Sequence, residues 1–135
     1  MPDSLKSVSQ LMDAAREAAA HAYAPYSKFR VGAALLFDDG SIVTGCNVEN
    51  VSYGLTNCAE RSALFRAISE SGASRKIVAA AVTNLNRQPS PPCGACRQVL
   101  SEFAAPDAVI HFSGTNGVET RHFNELLPFQ FHLDS

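Results

Sequence analysis

Phe29-Arg-Val-Gly-Ala-Ala-Leu-Leu-Phe37, Asp38-Asp39-Gly40 and Ser41-Ile-Val-Thr-Gly-Cys46 set the fold class. An apolar run of strand length, a turn signal and a second such run read as a β-hairpin. On its N-terminal side, Leu5, Val8, Leu11, Met12, Ala15, Ala18, Ala19 and Ala22 recur at helical spacing, and Pro25 marks the end. On its C-terminal side a helix is expected from about Cys58 to Glu70, with Ala63, Leu64, Ala67 and Ile68 as its apolar stripe and Gly72 at its cap. Lys76-Ile-Val-Ala-Ala-Ala-Val-Thr83 reads as a buried strand, and a polar, proline-rich loop follows from Asn84 to Pro92. A third helix is expected from about Gly94 to Ala105, presenting Val99, Leu100, Phe103 and Ala104 on one face. Asp107 to Phe112 reads as a short strand and Phe123 to Leu127 as a helical turn before Pro128. The order α-β-β-α-β-α-β implies an α/β protein, with a mixed sheet covered by helices on both faces.

The chain has 135 residues, the size of one compact domain, and no repeat or linker divides it, so 1–135 is read as a single domain. A hydrophobic fraction of 46% with 18% charged residues argues against disorder. The net charge of −2, with no run of lysine or arginine, argues against a nucleic-acid partner and leaves a small-molecule substrate open. No apolar stretch approaches the roughly 18 residues of a membrane span. The N-terminal segment is acidic in part and lacks the continuous apolar core of a secretory signal. A cytoplasmic protein is expected. In that reducing medium the four cysteines are read as metal-binding or catalytic rather than disulfide-bonded.

Cys93-Gly-Ala-Cys96 is a C-x-x-C pair at the start of one expected helix, and Cys58 stands at the start of the preceding one. Zinc binds thiolates, and the N–H groups and dipole of a helix N-terminus favour that anion. Three cysteine ligands would leave the fourth position of a tetrahedral zinc to water, the arrangement of catalytic sites. C-x-x-C alone is also a redox motif or half of a structural zinc site. Cys46 is either a fourth ligand or, as its place on a strand favours, a buried free thiol. Arg61 and Arg97 each follow a cysteine closely and could offset the thiolate charge by hydrogen-bonding sulfur. Glu60 is either a favourable charge in a first helical turn or, if it faces the metal, a group that moves protons.

Cys58-Ala59-Glu60-Arg61 followed by Pro91-Pro92-Cys93-Gly94-Ala95-Cys96-Arg97-Gln98 resembles the zinc-dependent nucleoside deaminases. Tyr26 to Leu35, Gly45-Cys46-Asn47-Val48-Glu49-Asn50 and Glu125-Leu126-Leu127-Pro128 narrow the likeness to the small cytidine deaminases. Three cysteines and a short chain are similar to the homotetrameric branch. The dimeric branch has a histidine in place of the first cysteine, a place that none of His21, His111, His122 and His132 takes.

The resemblance implies a three-layer α-β-α sandwich around a mixed five-strand sheet, and one zinc ion per chain on Cys58, Cys93 and Cys96. Zinc-bound hydroxide would attack C4 of cytidine, or of 2′-deoxycytidine, and Glu60 would carry protons to N3 and to the departing ammonia, in pyrimidine salvage. Asn47 and Glu49 would bind the ribose hydroxyls, Phe29 would pack on the ring, and Ala59 would offer its backbone N–H to the base. Neighbouring subunits would complete each pocket through Tyr53 and Phe131, with Phe129 a competitor for the second role. Read without the resemblance, Asn47 and Glu49 are ordinary polar residues after a strand, and Phe29 is core.

The nearest alternative is a deaminase of a nucleoside antibiotic such as blasticidin S, against which Asn47 and Glu49 speak. A polynucleotide deaminase would need a surface for flanking phosphates. A purely structural zinc domain would have no use for an open coordination position.

Overall fold

A computed structural model describes residues 7–129 and 131. Ser7 opens the first helix, α1 (Val8–Ala19), with a capping box in which its hydroxyl accepts from the Gln10 backbone N–H and the Gln10 side chain accepts in return. Leu5, expected in the stripe of this helix, lies outside the described residues. Then follow β1 (Val31–Phe37), β2 (Ile42–Cys46), a 3₁₀ turn (Tyr53–Leu55), α2 (Ala59–Ser71), β3 (Ile77–Asn84), α3 (Gly94–Ser101), β4 (Ala104–Gly114), β5 (Gly117–His122) and α4 (Phe123–Leu126).

The strands form one mixed sheet in the order β2-β1-β3-β4-β5. β1 lies antiparallel to both β2 and β3, β3 runs parallel to β4, and β5 closes the edge antiparallel to β4. Alternation along β1 divides the core. Ala33, Leu35 and Phe37 join the α2 side with Ala63, Leu64, Ala67 and Leu100, whereas Ala34 and Leu36 meet Leu11, Met12 and Ala15 of α1. The architecture is the expected three-layer sandwich with five strands.

Two glycines let helices approach strands at backbone distance. A Cβ on Gly32 would stand 1.8 Å from the Ala15 carbonyl oxygen, and one on Gly45 would stand 2.4 Å from the Ala63 nitrogen. The hairpin is thereby clamped between α1 and α2.

The third helix is shorter than its apolar pattern suggests. It ends at Ser101, and Ala104 begins β4. The Ile77 N–H donates to the Phe103 carbonyl at 2.8 Å, and Ile77 pairs with Ala104, so sheet pairing takes the residues that the pattern assigned to helix. Pro106 also disfavours a helical Ala105 before it. β5 is absent from the residue-based order because its side chains are almost all exposed, as befits a polar edge strand. The Asn116-Gly117 turn signal, with Gly117 at φ +122°, was the available cue. No helix among the described residues is long and apolar enough to cross a membrane.

Candidate functional site

Two helix starts build the site. Cys58 is the N-cap residue of α2 and Cys93 that of α3, both in extended backbone, and Cys96 lies in the first turn of α3. First-turn N–H groups stabilise negative charge. One of them, that of Cys96, donates to the Cys93 Sγ at 3.4 Å.

The Sγ atoms of Cys58, Cys93 and Cys96 all lie within 4.8 Å of one another, and those of Cys58 and Cys93 are 3.9 Å apart. Two thiolates at about 2.3 Å from one tetrahedral zinc stand about 3.8 Å apart. The sulfurs therefore have the spacing of a shared ion, and their softness suits zinc. Cys46 is half-buried at the end of β2, outside this cluster, and burial raises its thiol pKa.

The Arg61 Nη2 donates to the Cys58 Sγ at 3.2 Å. The Cys58 pKa is drawn down to about 5, first by a hydrogen bond from the Cys96 thiol and then by Arg61, against the cost of burial. The same bond pushes the Cys96 thiol upward, because Cys96 holds the shared proton. Further thiolates in so tight a trio need a cation to offset their repulsion. Arg97 turns elsewhere. Its Nε donates to the Pro92 carbonyl at 2.9 Å and its Nη1 to the Leu126 carbonyl at 3.1 Å, so it joins the loop before Cys93 to α4.

Glu60 is buried in the first turn of α2, and burial raises its carboxyl to about 7; the Cys58 charge adds to the rise while its own backbone N–H opposes it. It lines a cavity of about 250 Å³ together with Cys58, Cys93, Ala59, Phe29 and Asn47.

Residues 5–112 match the family described as the cytidine and deoxycytidylate deaminase zinc-binding region. The chain belongs to that family. This deaminase is 50% identical over 122 residues to the cytidine deaminase of Halalkalibacterium halodurans, a match covering 90% of this chain and 91% of that one. It is 49% identical over 120 residues to the cytidine deaminase of Mycobacterium tuberculosis, covering 89% and 86%. The crystal structure of the Burkholderia pseudomallei cytidine deaminase superposes with a TM-score of 0.84 at 44% identity, covering 93% of this chain and 99% of that chain. The family is zinc-dependent, and its metal finds a donor set here in Cys58, Cys93 and Cys96.

In this deaminase Asn47 and Glu49 both face the chain leading into β1. The Asn47 amide donates to the Phe29 carbonyl at 2.8 Å, and its oxygen accepts from the Val31 N–H at 2.9 Å. Glu49 Oε1 accepts from the Tyr26 and Ser27 N–H groups at 3.0 and 3.1 Å, and Oε2 accepts from the Ser27 hydroxyl. The Ser27 hydroxyl holds the Glu49 carboxyl below its ordinary range. Asn47 lines the cavity; Glu49 does not.

Tyr53 and Phe131 also stand outside the cavity lining, and each is 73% exposed. Tyr53 sits edge-on to Tyr26 at 6.1 Å between ring centroids. The Phe131 backbone is tied to Gln98 of α3, its carbonyl accepting from Nε2 at 2.9 Å and its N–H donating to Oε1 at 3.4 Å. Phe129 is 94% exposed.

Sequence reading missed part of the wall: Val31, Thr56, Asn57, Val82, Pro89, Ser90 and Pro91. Of these, Val31, Val82 and Pro91 stood in quoted stretches, but none was read as lining a pocket. The others carry no local signal, since strand crossing and loop folding bring them to the sulfurs.

Proposed function

We propose that this chain hydrolytically deaminates cytidine and 2′-deoxycytidine, giving uridine or deoxyuridine and ammonia, in pyrimidine salvage. One observation carries the reading: a buried carboxyl, Glu60, shares a small cavity with two of the three clustered cysteines. The cysteine trio would hold one zinc ion, which when bound supplies Lewis-acid activation of water.

Glu60 takes a proton from the attacking water, delivers it to N3 of the pyrimidine and later carries one to the leaving ammonia. A carboxyl buried in the cavity beside Cys58 and Cys93 is placed to accept a proton and hand it on. Phe29 covers the ring and the Ala59 N–H meets the base. Asn47 and Glu49 take the ribose hydroxyls with the hydrogen-bonding capacity that the β1 approach leaves them. Among the described lining residues there is no lysine or arginine, so a phosphate would find no cationic partner. That favours a nucleoside over a nucleotide or polynucleotide.

The reading extends to a single deaminase domain over 1–135, a cytoplasmic location and a homotetramer. Support for assembly comes from Val51, Tyr53 and Leu55, exposed at 76%, 73% and 73% just before the cavity residue Thr56, and from Phe131. Another copy of this chain would cover them, with Tyr53 and Phe131 completing a neighbour's pocket. Arg61 balances the thiolates, and Arg97 sets the loop that delivers Cys93.

Metal analysis and a cytidine assay on wild type and Glu60→Gln test the proposal. Expected are one zinc per chain in both proteins and a loss of about 10³-fold in turnover for the variant. Full turnover by the zinc-loaded variant would overturn the role of Glu60. Absence of cytidine turnover in the zinc-loaded wild type would overturn the substrate.

A further inference from the structure

Asn84 is the last residue of β3, is 8% exposed, and has every hydrogen-bonding valence of its amide engaged. Its oxygen accepts from the N–H groups of Asn86 at 2.8 Å and Gln88 at 3.2 Å. Its nitrogen donates to the Gln88 carbonyl at 2.7 Å and to the Ser90 hydroxyl. Ser90, 6% exposed, is fixed further by its N–H donating to the Ser113 carbonyl at 2.7 Å. One buried amide thus folds the loop from 85 to 90 around itself, and the end of that loop is the cavity wall of Pro89, Ser90 and Pro91 that leads to Cys93.

Asn86 turns outward from the same loop to the opposite wall. Its oxygen accepts from the Arg30 N–H at 3.0 Å and its nitrogen donates to the Lys28 carbonyl at 2.9 Å. The Leu85 N–H donates to the Arg30 carbonyl at 3.0 Å. These bonds bracket Phe29, the aromatic side chain of the cavity, on both sides. Lys28 and Arg87 hold φ values of +64° and +57°, which non-glycine residues adopt at some cost, so each loop needs outside bonds to keep its shape.

We propose that Asn84 and Asn86 are positioning residues for substrate binding: together they tie the loop before Cys93 to the segment carrying Phe29 and thereby fix the width of the cavity. Neither residue belongs to the metal cluster or touches the sulfurs. Asn84 shapes one wall, and Asn86 transmits that shape to the other. The effect on binding rests on the deaminase reading of the cavity given above; the tie between the two segments does not.

Asn86 lies on an exposed loop, so Asn86→Ala leaves the core intact and isolates the tie. Three quantities are read on the full chain: amide hydrogen exchange of the 28–30 segment, zinc content, and KM and kcat for cytidine. In Asn86→Ala, exchange at Arg30 speeds up, zinc stays at one per chain, and KM rises about tenfold with kcat changing far less, as the loss of two backbone hydrogen bonds implies. Asn86→Asp keeps the acceptor for Arg30 and falls between. Unchanged exchange in Asn86→Ala overturns the tie, and faster exchange with unchanged KM overturns its role in binding. If wild type turns over no cytidine, the proposed function falls, while the exchange comparison still decides the tie.

Discussion

Arg61 Nη2 donates to Cys58 Sγ at 3.2 Å, three residues along the first turn of the same helix. The cysteine that caps the helix and the guanidinium that balances it thus come from one short segment, so their contact is set almost entirely by helix geometry. A charge-assisted bond to a ligand sulfur eases the accumulation of negative charge on the trio.

Arg61→Gln removes that charge while keeping a side chain of similar reach. Zinc affinity should fall by about 10–100-fold, the usual cost of losing a partner of a metal ligand. Competition against a chromogenic chelator measures it. Unchanged affinity would mean that the helix termini alone stabilise the thiolates.

Cys46→Ala should retain one zinc per chain, because Cys46 stands outside the sulfur cluster. Cys93→Ala should lose tight binding. Elemental analysis after dialysis distinguishes the two, and zinc loss from the Cys46 variant would show a fourth protein ligand.

Gly32→Ala tests the packing of α1 on the hairpin. The added methyl would meet the Ala15 carbonyl oxygen and the Ala19 nitrogen, at 1.8 and 2.6 Å. Both atoms are backbone, so a helix must move rather than a side chain turn. Destabilisation of at least about 2 kcal/mol is expected from denaturant unfolding. A loss below half of that would mean that α1 shifts easily.

His111 gives a pH signature remote from the sulfurs. It is buried on β4, its Nδ1 is 2.8 Å from the Thr120 hydroxyl of β5, and it lines a cavity of about 560 Å³ on the α1 face with Asp38 and Asp107. Burial lowers its pKa below the ordinary value. The unfolded chain therefore takes up a proton near pH 6.5 while the folded chain does not, and stability falls as pH drops through that value toward the folded pKa. The slope of Tm against pH between about 7 and 5 should be steeper for wild type than for His111→Gln. Equal slopes would mean that the folded histidine titrates normally.

Much of this molecule was readable in local chemistry. The hairpin, α2, β3 and the caps at Cys58 and Cys93 follow from apolar spacing and helix-start residues that act over a few positions. The first helix carried the same kind of signal at Ser7 and Gln10. Where reading failed, a distant partner decided. Phe103 and Ala104 suit a helix face, yet the edge of Ile77 draws them into β4 pairing. Val118 is the one large apolar residue of β5, so that strand had no alternation to read and exists because β4 offers it a ladder.

By itself, the sequence determined which residues can ligate a metal and where the backbone starts each helix, because thiol chemistry and capping depend on neighbours along the chain. Only the tertiary structure decided that Cys58 and Cys93, 35 positions apart, bring their sulfurs to 3.9 Å. It also turned Arg97 to carbonyls rather than sulfur and set Asn47 and Glu49 against the β1 approach. Those outcomes depend on strand order, register and the close approach of helices to the sheet. Such long-range contacts are fixed jointly by the whole packed core, and no short stretch of chain encodes them.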